Sequence, residues 1–244
     1  MLLAALAAFI GAAVQSATGF GFALVLSPAL FAVLDPVEAV SALILLGLAL
    51  GVLVLFEGGR PEHVDWRPLV PALVAALPGL GVGAFVLTRL SKEALQLIVG
   101  VAVVGAAAWQ LRERRRRSRP HLGTAAGVAA GFVSGVLTTS ISVSGPPLVL
   151  WLEARGARPE QFRASLAATF VALNVCGAAV LVAVEGSGSF DLGVIGPLLA
   201  LVVAGYAVGA FAFRRVDPER FFVLVLLLVA ATGLASVAAG LGLT

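Results

Sequence analysis

The chain is poor in the residues from which most catalytic and metal sites are assembled. Of its 244 residues, one is cysteine, one methionine, one tyrosine and two are histidine. The lone Cys176 excludes an intramolecular disulfide and any multi-cysteine metal site. His63 and His121 both fall beside polar connections, so no histidine metal cluster is expected. There is no Ser-His-Asp set at membrane depth, no HExxH, no phosphate loop and no nucleotide motif. Neither an enzyme nor a cofactor is therefore expected. Charge is scarce as well: 12% of residues are Asp, Glu, Lys or Arg, against about 25% in an ordinary soluble domain. The formal net charge of +3 invites a nucleic-acid partner. Most basic residues, however, sit in short connections between apolar runs, where membrane topology accounts for them and nucleic acid is not needed. No cleavable signal peptide is read either, because the first residues lack a positive n-region and the apolar run continues far past residue 20.

What is present is apolar sequence. Hydrophobic residues make up 60% of the chain and the mean hydropathy is +1.08; the solvent that suits such a surface is lipid. The 28 glycines, with abundant alanine, suit helices that approach closely where no hydrophobic effect drives them together. The apolar runs are 2–34, 37–56, 68–88, 94–111, 121–152, 164–184, 192–213 and 221–243. A hydrocarbon core of about 30 Å needs about 20 helical residues. Six runs fit one crossing, while 2–34 and 121–152 are too long for one and short for two. Those two runs open equivalent halves. Gly83-Ala84-Phe85 recurs as Gly209-Ala210-Phe211, and Arg89 to Glu93 answers Arg215 to Glu219, both at a spacing of 126. Upstream the spacing falls to 118–123, pairing Ser27-Pro28 with Gly145-Pro146 and Asp35-Pro36 with Arg158-Pro159.

Lys and Arg concentrate in cytoplasmic loops. If run 121–152 crossed once, eight of the sixteen basic residues would lie on each side. If it enters and returns, fourteen lie inside and only Arg89 and Lys92 outside. The second distribution makes 121–152 a hairpin, and the repeat makes 2–34 another. The expected fold is an all-α integral membrane protein of two inverted repeats, each a re-entrant or broken-helix hairpin followed by three transmembrane helices. Residues 1–111 form the first repeat, 112–120 a cytoplasmic Arg-rich linker and 121–244 the second, with both termini outside, in a multi-pass plasma-membrane protein. The linker arginines serve topology, with anionic-lipid binding as a side effect. Inverted repeats with broken helices are a recurrent transporter plan.

Polar residues gather inside the two long runs: Gln15, Ser16, Thr18, Gly19 and Gly21 in the first, and Thr138, Thr139, Ser140, Ser142, Ser144, Gly145 and Pro146 in the second. Gly and Pro break helices and free backbone groups, which in a membrane must be buried in protein or line a cavity. Pro suits a first helical turn, so Ser144-Gly145-Pro146 reads as the start of a half-helix whose free N–H groups favour an anion. Hydroxyls in membrane helices also bond their own backbone, but five within seven residues beside Gly-Pro-Pro favour a solute site. Gln15 needs a partner in lipid. Asn174 suits an interhelical bond or a ligand contact, Cys176 reads as a packing residue with substrate contact as its alternative, and Arg163 marks the cytoplasmic interface, with substrate or gate duty as its alternative. Asp35, Glu57, Glu153 and Glu185 all border loops, leaving proton coupling open.

With Gly19-Phe20-Gly21, Ser27-Pro28, Gly131-Phe132-Val133-Ser134-Gly135 and Ser144-Gly145-Pro146-Pro147 in this order, the chain resembles the sulfite exporter TauE/SafE family, also described as the toluene-sulfonate uptake permease family. Asp35 to Val40 and Arg163-Ala164-Ser165-Leu166 are similar to its post-hairpin openings. The resemblance covers nearly the whole chain. It implies transport of sulfite, thiosulfate, sulfonates or related anions around a central site between inverted repeats. Some thiosulfate-carrying relatives use membrane-embedded cysteines; with only Cys176, outside both hairpins, sulfite or a sulfonate is the better fit. The alternatives are transport of another small solute, whether carboxylate, cation or neutral metabolite, and a non-transport scaffold. The expected partners are a small anionic substrate and the bilayer; the sequence gives no oligomeric state.

Overall fold

The computed structural model describes residues 1–57, 63–114, 122–156, 158–212 and 218–242. Most of the expected linker 112–120 and part of the connection Arg214 to Arg220 lie outside them. Among the described residues ten α-helices follow one another: α1 Leu2–Thr18, α2 Phe22–Val33, α3 Pro36–Glu57, α4 Trp66–Arg89, α5 Lys92–Arg114, α6 Thr124–Ile141, α7 Gly145–Ala154, α8 Pro159–Glu185, α9 Leu192–Ala212 and α10 Pro218–Gly240. Among the described residues there is no strand. Proline opens α3 and α8 at the position where a missing N–H matters least.

Six helices are long and apolar enough to cross a membrane among the described residues: α3, α4, α5, α6, α8 and α9. Five of them are runs read as ordinary spans. The sixth, α6, is the first arm of the second long run; its 18 residues extend about 27 Å at 1.5 Å each. The expected sixth span is α10, which has 23 residues and a described apolar stretch of Val229–Gly240. Together these make a multi-pass membrane protein.

Both long runs break in the middle. The first stops at Gly19 (φ 88°) and resumes at Gly21 (φ 112°), left-handed conformations in which a side chain is strained. The second stops at Ser142 (φ 58°), the one non-glycine residue with positive φ among those described. After each break the chain doubles back. Trp151 on α7 donates its indole N–H to the Gly123 carbonyl at the start of α6, at 3.2 Å, and packs on Gly127. Phe22 at the start of α2 lies against Gly11 of α1. The two arms are unequal, 17 and 12 residues in the first run and 18 and 10 in the second.

The long arms make their most extensive contacts with the other half of the chain. Gly79 and Gly83 of α4 press their bare α-carbons onto the carbonyls of Phe132 and Val136 of α6, and Gly205 and Gly209 of α9 do so onto Phe9 and Ala13 of α1. The four contacts correspond under shifts of 126 on one side and 123 on the other, so the sequence repeat is also a packing repeat. Without a hydrophobic effect between helices in lipid, such close backbone approach supplies the attraction. The remaining helices pair across the halves, α3 with α8 and α5 with α10. Gly47 meets Asn174 and Gly51 meets Val171, so α3 and α8 run antiparallel. The hairpin tips are tied together by Ser27, fully buried, whose hydroxyl donates to the Ile141 carbonyl at 2.9 Å.

Candidate functional site

Where the two tips meet α3 and α8, a cavity of about 40 Å³ remains. The first tip contributes Gln15, Phe20, Gly21, Phe22, Ala23 and Leu24; the second contributes Ser142 to Pro146. Leu43 and Gly47 on α3, and Phe170 and Asn174 on α8, complete the wall. No residue in this lining is ionisable. Its electrostatics therefore come from dipoles, and both short helices begin here: α2 after Gly21 and α7 after Ser144. Each helix start carries roughly half a positive elementary charge. Pro146 and Pro147 supply no N–H, so the Gly145 amide is the donor of the opening turn of α7.

The polar side chains around the cavity are unevenly engaged. Gln15 accepts a hydrogen bond from the Phe22 amide on its Oε1, at 3.3 Å, which fixes the amide orientation and leaves Nε2 free of protein partners among the described residues. The Asn174 amide likewise has no hydrogen-bond partner there; the interhelical bond that was one of its two readings is not made, and the side chain faces Gly47. The Ser144 hydroxyl and the Gly145 N–H also have no protein acceptor among the described residues. The cavity is thus bordered by donors of four kinds and no fixed charge.

Several residues expected in the site lie just behind this wall. Thr18 Oγ1 lies 2.9 Å from the Val14 carbonyl and 2.6 Å from the Phe20 carbonyl, with one proton to donate between them, rounding the first tip. Ser16 offers its carbonyl to Arg163 Nη2 at 2.8 Å, and Gly19 packs against the Arg163 stem. In α6, Thr138 and Ser140 return their hydroxyls to Ser134 and Val136, at 2.7 Å each, while Thr139 donates to Leu80 of α4 at 2.6 Å. Ser142 reaches both the cavity and the Thr138 carbonyl, at 3.2 Å. Gln15, Gly21, Ser142, Ser144, Gly145, Pro146 and Asn174 are brought to one cavity; Ser16, Thr18, Gly19, Thr138, Thr139 and Ser140 shape the tips around it. Sequence reasoning missed Phe20 and Phe170 as wall residues. A Cβ on Gly145 would lie 3.6 Å from the Phe170 ring and 3.9 Å from the Phe20 ring. The spacing of Phe170 and Asn174, one turn apart on α8, carried the available signal.

Comparison with known proteins adds the following. Residues 3–236 match the family described as Sulfite exporter TauE/SafE. A curated protein of Cupriavidus necator named "Probable sulfite/organosulfonate exporter TauE" is 33% identical over 162 residues, 64% of this chain and 62% of the relative. The match thus spans about three fifths of that relative's length. No solved structure matches the chain.

Proposed function

The chain belongs to the sulfite exporter TauE/SafE family, and from that premise we propose that it is a membrane permease for small sulfur-containing anions such as sulfite or organosulfonates, and not an enzyme. The observation that carries the reading is the convergence of partnerless donors on an uncharged cavity between two helix starts. An anion leaving water must recover its hydration from fixed donors, because an uncompensated charge in hydrocarbon costs many kcal/mol. Gln15 Nε2, the Asn174 amide, the Ser144 hydroxyl and the Gly145 N–H supply them. Without a full positive charge, the site binds the anion and still releases it. Size supports the same reading. About 10–15 Å³ is the least that admits one water, so a cavity of about 40 Å³ has room for a small solute.

The two halves, 1–111 and 121–244, are proposed to lie inverted across the bilayer, the first hairpin entering from outside and the second from inside. The antiparallel pairing of α3 with α8 and the return of α7 to the start of α6 support this, as does the distribution of basic residues. Thr18, Thr138, Thr139 and Ser140 then act by holding the tips in shape. The test is flux: the purified chain in liposomes takes up radiolabelled sulfite saturably, and unlabelled methanesulfonate competes. Uptake of a carboxylate, cation or amino acid with none of sulfite would replace the reading with another transport class. No flux of any solute would favour a scaffold.

A further inference from the structure

We propose that Arg163 recruits the anion on one side of the cavity and delivers it to the hairpin tips; this rests on the cavity being a sulfur-oxyanion site. Arg163 stands in the second turn of α8, within the span Pro159–Glu185. Its Nη2 donates to the Ser16 carbonyl at 2.8 Å, and its stem lies along Gly19. Its Nε is buried with no hydrogen-bond partner. Among the described residues no carboxylate pairs with it, so its charge is held by a backbone dipole and not neutralised. A cation at the cytoplasmic end of a membrane span with no carboxylate partner stands where an anion would enter from that side. The guanidinium offers Nε–H and Nη–H as a planar fork matched to two oxygens of one oxyanion, and here half of that fork is unused.

Position supplies the second line of argument. Arg163, Phe170 and Asn174 share one face of α8 at intervals of seven and four residues, which puts Arg163 about 10 Å along the helix from Phe170. Phe170 and Asn174 line the cavity. Phe20 and Phe170 both flank Gly145, each ring within 4 Å of where a Cβ on that residue would sit.

The third observation is asymmetry. Under the shift of 123 that relates α3 to α8, the counterpart of Arg163 is Val40, whose carbonyl lies 3.5 Å from the Ser142 hydroxyl at the other tip. Both positions touch a hairpin tip, yet only one carries charge. A residue needed merely to hold a tip in place would not have to be cationic, since Val40 serves at the equivalent tip through its backbone.

The experiment is [35S]sulfite uptake into liposomes by the full chain and by Arg163→Gln, Arg163→Lys and Arg155→Gln, the last changing a nearby cation stacked on Trp151. Arg163→Gln is expected to raise KM roughly ten-fold with Vmax little altered. It should also abolish the rise of KM with ionic strength that is expected of the wild type. Arg163→Lys should raise KM less, keep the salt dependence and lose part of the preference for oxyanions over chloride. Arg155→Gln should behave as wild type. If wild-type flux is present and Arg163→Gln lowers only Vmax or stability, with KM and salt dependence unchanged, Arg163 is a clamp on the first hairpin and the inference is overturned. Should Arg163→Gln fail to fold, an unchanged KM in Arg163→Lys overturns it equally. If the wild type carries no sulfite, the cavity reading falls and takes this inference with it.

Discussion

Replacing Asn174 by leucine separates binding from folding more cleanly than any other change at the cavity. The Asn174 amide has no protein partner among the described residues and faces the bare α-carbon of Gly47. Leucine has nearly the same branching, so Asn174→Leu breaks no hydrogen bond of the empty protein and leaves the α3–α8 contact intact. On the proposed reading, what it removes is a donor to the bound anion. A hydrogen bond to a charged group contributes about 1.5–3 kcal/mol, and about 1.4 kcal/mol is a factor of ten. The expected loss is therefore roughly ten- to a hundred-fold in affinity for sulfite, with an unchanged melting temperature. Binding of [35S]sulfite to detergent-purified protein gives the first quantity, and thermal unfolding followed by tryptophan fluorescence gives the second. Wild-type affinity in Asn174→Leu would refute the reasoning, because it would mean that the amide does not meet the substrate. So would a large drop in melting temperature, which would assign Asn174 to packing.

The other predictions concern the frame around the cavity. Gly83→Ala and Gly209→Ala should each lower stability by about 1–3 kcal/mol, since a Cβ at either site collides with the facing helix backbone; unfolding in mixed micelles measures this, and an effect at one site only would break the repeat equivalence. Ser27→Ala strands the buried Ile141 carbonyl and should destabilise by about 1–3 kcal/mol, with a further loss of Vmax because the tips are no longer tied together. Thr139→Val removes the hydroxyl held by Leu80 and should cost about 0.6 kcal/mol of stability, the usual scale of a bond between membrane helices, while leaving sulfite KM unchanged. On a Cys176→Ser background, Gly188→Cys should react with an impermeant thiol reagent in intact cells and Gly156→Cys should not; labelling of Gly156→Cys with protection of Gly188→Cys would remove the inverted arrangement.

The class of fold was legible because length and polarity of the apolar runs translate directly into spans, and because glycine and proline in lipid have few other uses. Gly83-Ala84-Phe85 and its copy turned out to be the glycine contacts that dock each long arm, so the motif was legible as repetition before its physical role was visible. The inequality of the hairpin arms was not legible: nothing in residues 124–141 distinguishes a deep arm from half of a symmetric hairpin until Ser142 is seen in the left-handed region. At the site, backbone-breaking residues were legible and hydroxyl destinations were not. A threonine can bond its own helix, a neighbour or a ligand, and only the contacts of Thr138, Thr139 and Ser140 with Ser134, Leu80 and Val136 decide among these. Phe20 and Phe170 come from hairpin and span, 150 residues apart, and no local pattern joins them.

The central claim, an oxyanion held between the hairpin tips, is tested most directly by locating an anion in crystals of the Cys176→Ser protein soaked in selenite, a pyramidal isostere of sulfite that scatters anomalously. The account predicts one strong selenium peak inside the cavity, with its oxygens about 3 Å from the Gly145 N–H and within reach of Gln15 and Asn174. A selenium peak elsewhere in the protein, with the cavity between the tips holding only water, would contradict it.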